Sequence, residues 1–210
     1  MRLAGYCLFL TLLLPTPSIA ADQSPVAAPE PLPLEFSGFR FGQPPGANMT
    51  CFGGYCKSQS PGGDGRVSFP FSIYETPGAV TTLSGLTIVL PRYTFWEDRL
   101  FRVVFQVDCT PLAIDECLDD ITVALDREYS LTPLSSSDQH QFAAGRRAVT
   151  REFQTESGAF IKVRAVITKE GPHLPWIDIV DRRMADLVGS TLNPNYKPKF
   201  RELIESTRQP

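Results

Sequence analysis

Apolar and polar residues alternate along the middle of the chain, which predicts strands. Leu86, Ile88 and Leu90 fall on one side of an extended segment. Phe101, Val103, Phe105 and Val107 fall on one side of the next, with Arg102 and Gln106 opposite. Tyr93-Thr94-Phe95-Trp96 prolongs the apolar run up to Glu97-Asp98-Arg99. That polar turn is too short for a parallel crossover, so the pair is antiparallel. The period then changes. Ile114, Cys117, Leu118, Ile121, Leu125 and Tyr129 recur at helical spacing, and Asp115, Glu116, Asp119 and Asp120 load the first turns with negative charge. A helix is expected from Ile114 to Tyr129. After a polar loop, Ser135 to Gln141, strands are expected over Val149 to Gln154 and Ala159 to Thr168, joined at Glu156-Ser157-Gly158. A last strand runs from Leu174 to Val180, followed by a short helix near Asp181 to Val188. Upstream, Phe36 to Gly42 reads as one short strand. These elements predict the α+β class: an antiparallel sheet of about six strands with one main amphipathic helix packed across it.

The ends of the chain follow other rules. Arg2, the apolar stretch Leu8 to Leu14, Pro15 and Pro17, and the small residues Ser18 and Ala20 match a cleavable signal peptide over residues 1–20. The stretch is shorter than the roughly 20 residues a spanning helix needs. Cys7 follows the bulky Tyr6, with no apolar run before it, which argues against a lipid anchor. Residues 21–34, with Pro25, Pro29, Pro31 and Pro33, read as an extended disordered tether. A single domain over 35–190 and a polar tail over 191–210, with a short helix after Pro198, complete the expected organisation. After cleavage no segment has the length for stable membrane insertion.

Composition narrows the partners. The chain carries 20 Lys+Arg and 23 Asp+Glu. Loss of Arg2 leaves 19 against 23, a net charge of −4, with no basic cluster for nucleic acid. Cys51, Cys56, Cys109 and Cys117 remain, an even number that in an exported chain reads as two disulfides. The local pairs Cys51–Cys56 and Cys109–Cys117 are favoured, because the second would pin a helix start to a strand end. A four-cysteine zinc site is the rival, with spacings C-x4-C and C-x7-C in place of the tight knuckles zinc ribbons use.

No catalytic motif stands out. His140 and His173, the only histidines, sit in expected loops without an H-E-x-x-H pair, and no Ser lies in a G-x-S-x-G elbow. The acidic run Asp115 to Asp120 reads as a solvated helix start in preference to a calcium loop. The sequence thus calls for no catalytic residue, cofactor or metal. Tyr93, Phe95 and Trp96 could contact a ligand or partner, Trp96 foremost because hairpin tips face solvent. Asn48-Met49-Thr50 is a formal glycosylation sequon.

The pattern Phe36-x-Gly38-Phe39-x-Phe41-Gly42, with Tyr93-x-Phe95-x-x-x-x-Leu100-Phe101-x-Val103 far downstream, resembles small exported bacterial proteins of uncharacterised function. The resemblance covers about residues 36–181 and implies an α+β envelope domain, with no site residues; both Cys pairs depart from its pattern. The expected function is a disulfide-stabilised, non-enzymatic periplasmic or secreted domain that binds an envelope protein or small ligand. The alternative is an envelope hydrolase or thiol-active enzyme lacking a motif.

Overall fold

The computed structural model describes residues 34–54, 56, 71–78, 81–110, 112–141, 145–193 and 195. The expected signal peptide, nearly all of the tether, the Gly-rich stretch 58–65 and the helix after Pro198 lie outside the described residues.

The alternating centre forms β6 (Leu86–Trp96) and β7 (Arg99–Asp108), joined through Glu97 and Asp98. Both turn residues take positive φ, 47° and 60°. Such a two-residue turn matches the twist of paired strands. β7 leads into α1 (Ile114–Tyr129), which passes to β8 (Leu131–Gln141) at the far rim. The chain returns as a meander, β9 (Arg146–Thr155), β10 (Ala159–Thr168), the short β11 (Gly171–Pro172) and β12 (Trp176–Asp181). β12 pairs with β7 and closes the circuit, and α2 (Arg182–Leu192) follows. Before β6 come β4 (Phe71–Glu75) and β5 (Thr81–Leu83), both paired to it, and β3 (Thr50–Cys51) on the outside of β4. Among the described residues the sheet has ten strands in the order β3-β4-β6-β7-β12-β10-β9-β8, with β5 on β6 and β11 on β10, all antiparallel. β1 (Glu35–Phe36) and β2 (Phe39–Arg40) form a separate hairpin.

The expected α+β class with about six strands and one main helix is overturned. Among the described residues 53% are strand and 19% helix, in two short helices, so the fold is mostly β. Two physical causes hid the extra strands. β1, β2, β3, β5 and β11 are two or three residues long and exist through tertiary pairing, so they carry no period of their own. The segment Ser135 to Gln141, expected as a loop, is the larger part of β8. It is a rim strand exposed on both faces through most of its length, so nothing in it needed to alternate.

α1 has the predicted bounds. The Ala113 N–H donates to Glu116 Oε2 (3.3 Å) at its start, and at its end the Leu131 N–H donates to Asp126 Oδ1 (2.8 Å) beyond a left-handed Ser130. Cys117, Leu118, Ile121, Ala124 and Leu125 are buried in the core formed by Val103, Phe105, Val107, Ile161, Val163, Ile177 and Ile179. Each large side chain so buried stabilises by about 1.5–3 kcal/mol. The β1–β2 hairpin caps this core. Phe36 stacks on Phe105 with centroids 4.7 Å apart, and Phe39 meets Tyr93 edge-on at 5.0 Å. The expected single strand Phe36 to Gly42 is thus two, turned at Ser37-Gly38 (φ 53° and 80°).

Two bulges change which face a residue takes. The β6–β7 register shifts between Val89 and Arg92 and again between Thr94 and Phe95. At the first, Leu90 adopts φ 53° and is exposed, so it does not share a face with Ile88. At the second, Leu100 joins the main core and Phe101 turns to the opposite side, with Trp96, Val188 and Met184. Phe101 therefore parts from Val103, Phe105 and Val107.

Candidate functional site

The aromatic residues singled out from sequence are covered. Tyr93 is 0% exposed, Phe95 1% and Trp96 7%. Tyr93 and Phe95 belong to the main core, and α2 folds back over Trp96. α2 starts where Asp181 Oδ1 accepts the Arg183 and Met184 N–H groups (2.9 and 3.2 Å), which aims Met184 and Val188 at the hairpin tip. Hairpin tips are wet unless another element covers them, and here one does. The expected Tyr93–Phe95–Trp96 contact surface is therefore closed.

The cysteines pair locally, Cys51–Cys56 with Cα atoms 5.9 Å apart and Cys109–Cys117 at 5.6 Å. The acidic helix start faces guanidinium groups. Arg147 bridges Asp115 (3.1 Å) and Asp138 (2.8 Å), and Arg151 reaches Asp119 (2.8 Å). These bonds pull the Asp138 carboxyl below its usual range, with Arg147 the leading cause. Among the described residues no group of three or more His, Cys, Asp or Glu could hold a metal ion. No described helix is long and apolar enough to cross a membrane.

The open chemistry lies on the sheet face opposite α1. Because side chains alternate, burial of Ile177 and Ile179 in the α1 core puts Trp176, Asp178 and Val180 on the other face. Register builds a row across it: Gln106 opposite Trp176, Trp176 opposite Arg164, and Arg164 opposite Thr150. The middle of the face is neutralised by ion pairs. Arg102 binds Asp178 through two bonds of 2.8 and 2.7 Å, and Lys162 binds Glu152 at 2.8 Å.

At the Trp176 end a cavity of about 540 Å³ opens, lined by Gln106, Arg146, Val166, Thr168, His173, Leu174 and Trp176. The half-buried indole forms an apolar wall, and Gln106, Thr168, His173 and Arg146 bring polar groups to it. Arg164 adjoins it through the Trp176 pairing. Among the described residues neither Arg146 nor Arg164 is in a salt bridge. Glu170 stands beyond Thr168, whose hydroxyl holds the carboxyl below its ordinary value, and it interacts with His173.

No family model, curated protein or solved structure matches the chain.

The cavity residues escaped selection from the sequence, although one signal was present. The run Trp176-Ile177-Asp178-Ile179-Val180 alternates, and the pairing of Trp176 with Asp178 on the charged side marks an indole on the solvent face.

Proposed function

We propose that this chain is an exported, disulfide-stabilised, non-enzymatic binding domain, periplasmic or secreted. Its ligand is a small molecule with an anionic group and a planar ring, held in the Trp176 cavity. The observation that carries the reading is a half-buried indole beside Arg146 and Arg164, two guanidinium groups outside any described salt bridge, on a face that no described helix covers at that end. An aromatic wall supplies area at little cost in conformational entropy, and a guanidinium supplies directed donors to a carboxylate or phosphate. The two disulfides support an oxidising destination. The rival enzyme reading has no observation in its favour. Among the described residues the cavity wall holds no Ser or Cys, its nearest carboxylate is Glu170 beyond Thr168, and all four described cysteines are paired.

The chain has two tryptophans, so Trp96→Phe leaves Trp176 as sole reporter. Its fluorescence should respond saturably to benzoate and more weakly to benzyl alcohol, the neutral counterpart, and Arg146→Ala with Arg164→Ala should remove the difference. No saturable response to benzoate up to about 10 mM, or equal binding of both probes, would overturn the assignment.

A further inference from the structure

The sheet ends in two unlike rims. β3 is two residues long and carries Cys51, so it presents almost no free backbone. β8 is eleven residues long and among the described residues pairs only with β9. Its first part contains Pro133 and a bulge at Leu134, both devices that blunt an edge. The rest does not. From Ser135 to Gln141 the register with β9 is continuous, and the seven residues include no Pro and no Lys. A regular edge of this kind presents a row of backbone donors and acceptors to an incoming strand.

A second feature lies against the same edge. A cavity of about 470 Å³ is lined by Thr122 of α1, Pro133, Leu134, Ser135 and Ser136 of β8, and Arg151 and Phe153 of β9. Phe153 is buried and forms an apolar part of its wall. Arg151 is held in place by Leu118 O (3.0 Å), Thr122 Oγ1 (3.0 Å) and Asp119 (2.8 Å), so this wall is rigid. Ser136, Asp138 and His140 pair with Arg151, Val149 and Arg147, and buried Val149 marks theirs as the α1 side of the sheet. A strand added to β8 would alternate, every second side chain facing this groove.

The groove has a charge preference. Asp115 and Asp119 lie one turn apart on one stripe of α1, and Arg147 joins Asp115 to Asp138 of β8. Arg147 and Arg151 are the cations among them, with His140 beside Asp138 at 3.6 Å. Among the described residues three carboxylates there face two guanidiniums, which leaves the groove with an excess of negative charge.

We propose that β8 receives an extended segment of a partner protein as an added strand. One apolar side chain of the segment enters the Leu134–Phe153 cavity, and basic side chains at the following alternate positions meet the carboxylates of α1 and Asp138. Main-chain bonding supplies affinity and the cavity and charge supply selectivity, the division of labour seen wherever strands are added to sheet edges.

The probe is the acetylated, amidated peptide Thr-Val-Thr-Lys-Thr-Lys-Thr, titrated into the isotope-labelled, disulfide-bonded chain and followed by amide NMR. Saturable shifts should centre on Ser135–Gln141 and the neighbouring part of α1. Glu in place of Lys should weaken binding by about tenfold or more, which is about 1.4 kcal/mol. N-methylation tests the backbone without touching the protein. In an antiparallel or parallel strand alternate N–H groups face the partner, so methylating one alternate set should abolish binding and methylating the other should not. The proposal is overturned if neither set matters, if the shifts fall at the Trp176 cavity, or if no saturable shift occurs up to about 5 mM. Dimerisation of the free chain through β8 in sedimentation would also overturn it, by naming a second copy as the occupant.

Discussion

Removing the two disulfides separately should have unequal consequences, although chain entropy alone makes them nearly equal. The bridges span sequence separations of 8 and 5 residues. In the loop-closure treatment these separations correspond to about 2.5 kcal/mol for Cys109–Cys117 and about 2.1 kcal/mol for Cys51–Cys56. The native contexts differ far more. Cys117 and Cys109 are buried in the main core, where the bridge fastens the first turn of α1 to the end of β7. Cys51 lies on a two-residue rim strand held by two register pairs to β4. Without its bridge that strand can open by itself while the rest stays folded, and the freedom it regains in the native state offsets the entropy gained on unfolding. Cys109→Ala with Cys117→Ala should therefore lower the unfolding free energy by about 2.5 kcal/mol or more, the excess coming from lost packing. For a domain of this size the loss lowers Tm by about 5–10 °C. Cys51→Ala with Cys56→Ala should cost under about 1 kcal/mol in the global transition, with faster amide exchange confined to β3 and its surroundings. Urea unfolding followed by circular dichroism measures both. Equal losses, or the larger loss from the Cys51–Cys56 pair, would refute the claim that the core bridge is the one coupled to global stability.

Two further predictions rest on single side chains. The Tyr93 hydroxyl is buried beside the Thr76 and Ser37 side chains, but among the described residues it makes no well-aligned hydrogen bond, and neither does Thr76 Oγ1. Tyr93→Phe should thus be neutral or stabilising by up to about 1 kcal/mol, and a clear loss in urea unfolding would mean the hydroxyl is satisfied. Burial raises the Glu152 carboxyl pKa, but the Lys162 ammonium and Ser135 hydroxyl outweigh it and leave the group below its ordinary value. A carboxylate with a lowered folded pKa stabilises fully above its unfolded pKa and loses that contribution as pH falls through the folded value. Glu152→Gln should flatten the acid limb of the stability-against-pH curve in that window, and an unchanged limb measured by thermal unfolding would contradict it.

The parts of the fold legible in the sequence were those whose burial is dictated locally. α1 showed its bounds because six apolar residues at helical spacing and four acids at its start gave one answer. β10 did so because Ile161, Val163 and Ala165 alternate with Lys162 and Arg164. The features that escaped depend on events elsewhere in the chain. One extra residue in β7, at Phe101, reverses the face of everything before it, and a bulge leaves no mark in apolarity when the residues on either side are Leu and Phe. Trp96 looked exposed because sequence shows a hairpin tip and cannot show α2 folding onto it. β8 looked like a loop because a rim strand wet on both faces has no pattern to keep. The same absence of pattern concealed the edge proposed as a docking strand.

Both open surfaces follow from lengths and connectivity. The eight-strand path of the sheet is about 34 Å broad, seven spacings of about 4.8 Å. α1, with 16 residues, is about 24 Å long and can cover most of one face. α2, with 11 residues, is about 16 Å long, and its N-cap fixes it at the Asp181 end of β12. It can shield Trp96 and Phe101 but cannot extend across the rest of the outer face. The remaining face had to be made wettable by other means. Ion pairs do this at its centre, where Arg102–Asp178 and Lys162–Glu152 sit between half-buried Val104, Phe160 and Val180. At the Trp176 end the guanidinium groups of Arg146 and Arg164 have no such partners among the described ion pairs. A purely structural solution to an uncovered sheet face would pair those charges as the centre pairs its own. That contrast within one face is the reason the proposed ligand is assigned to the Trp176 end.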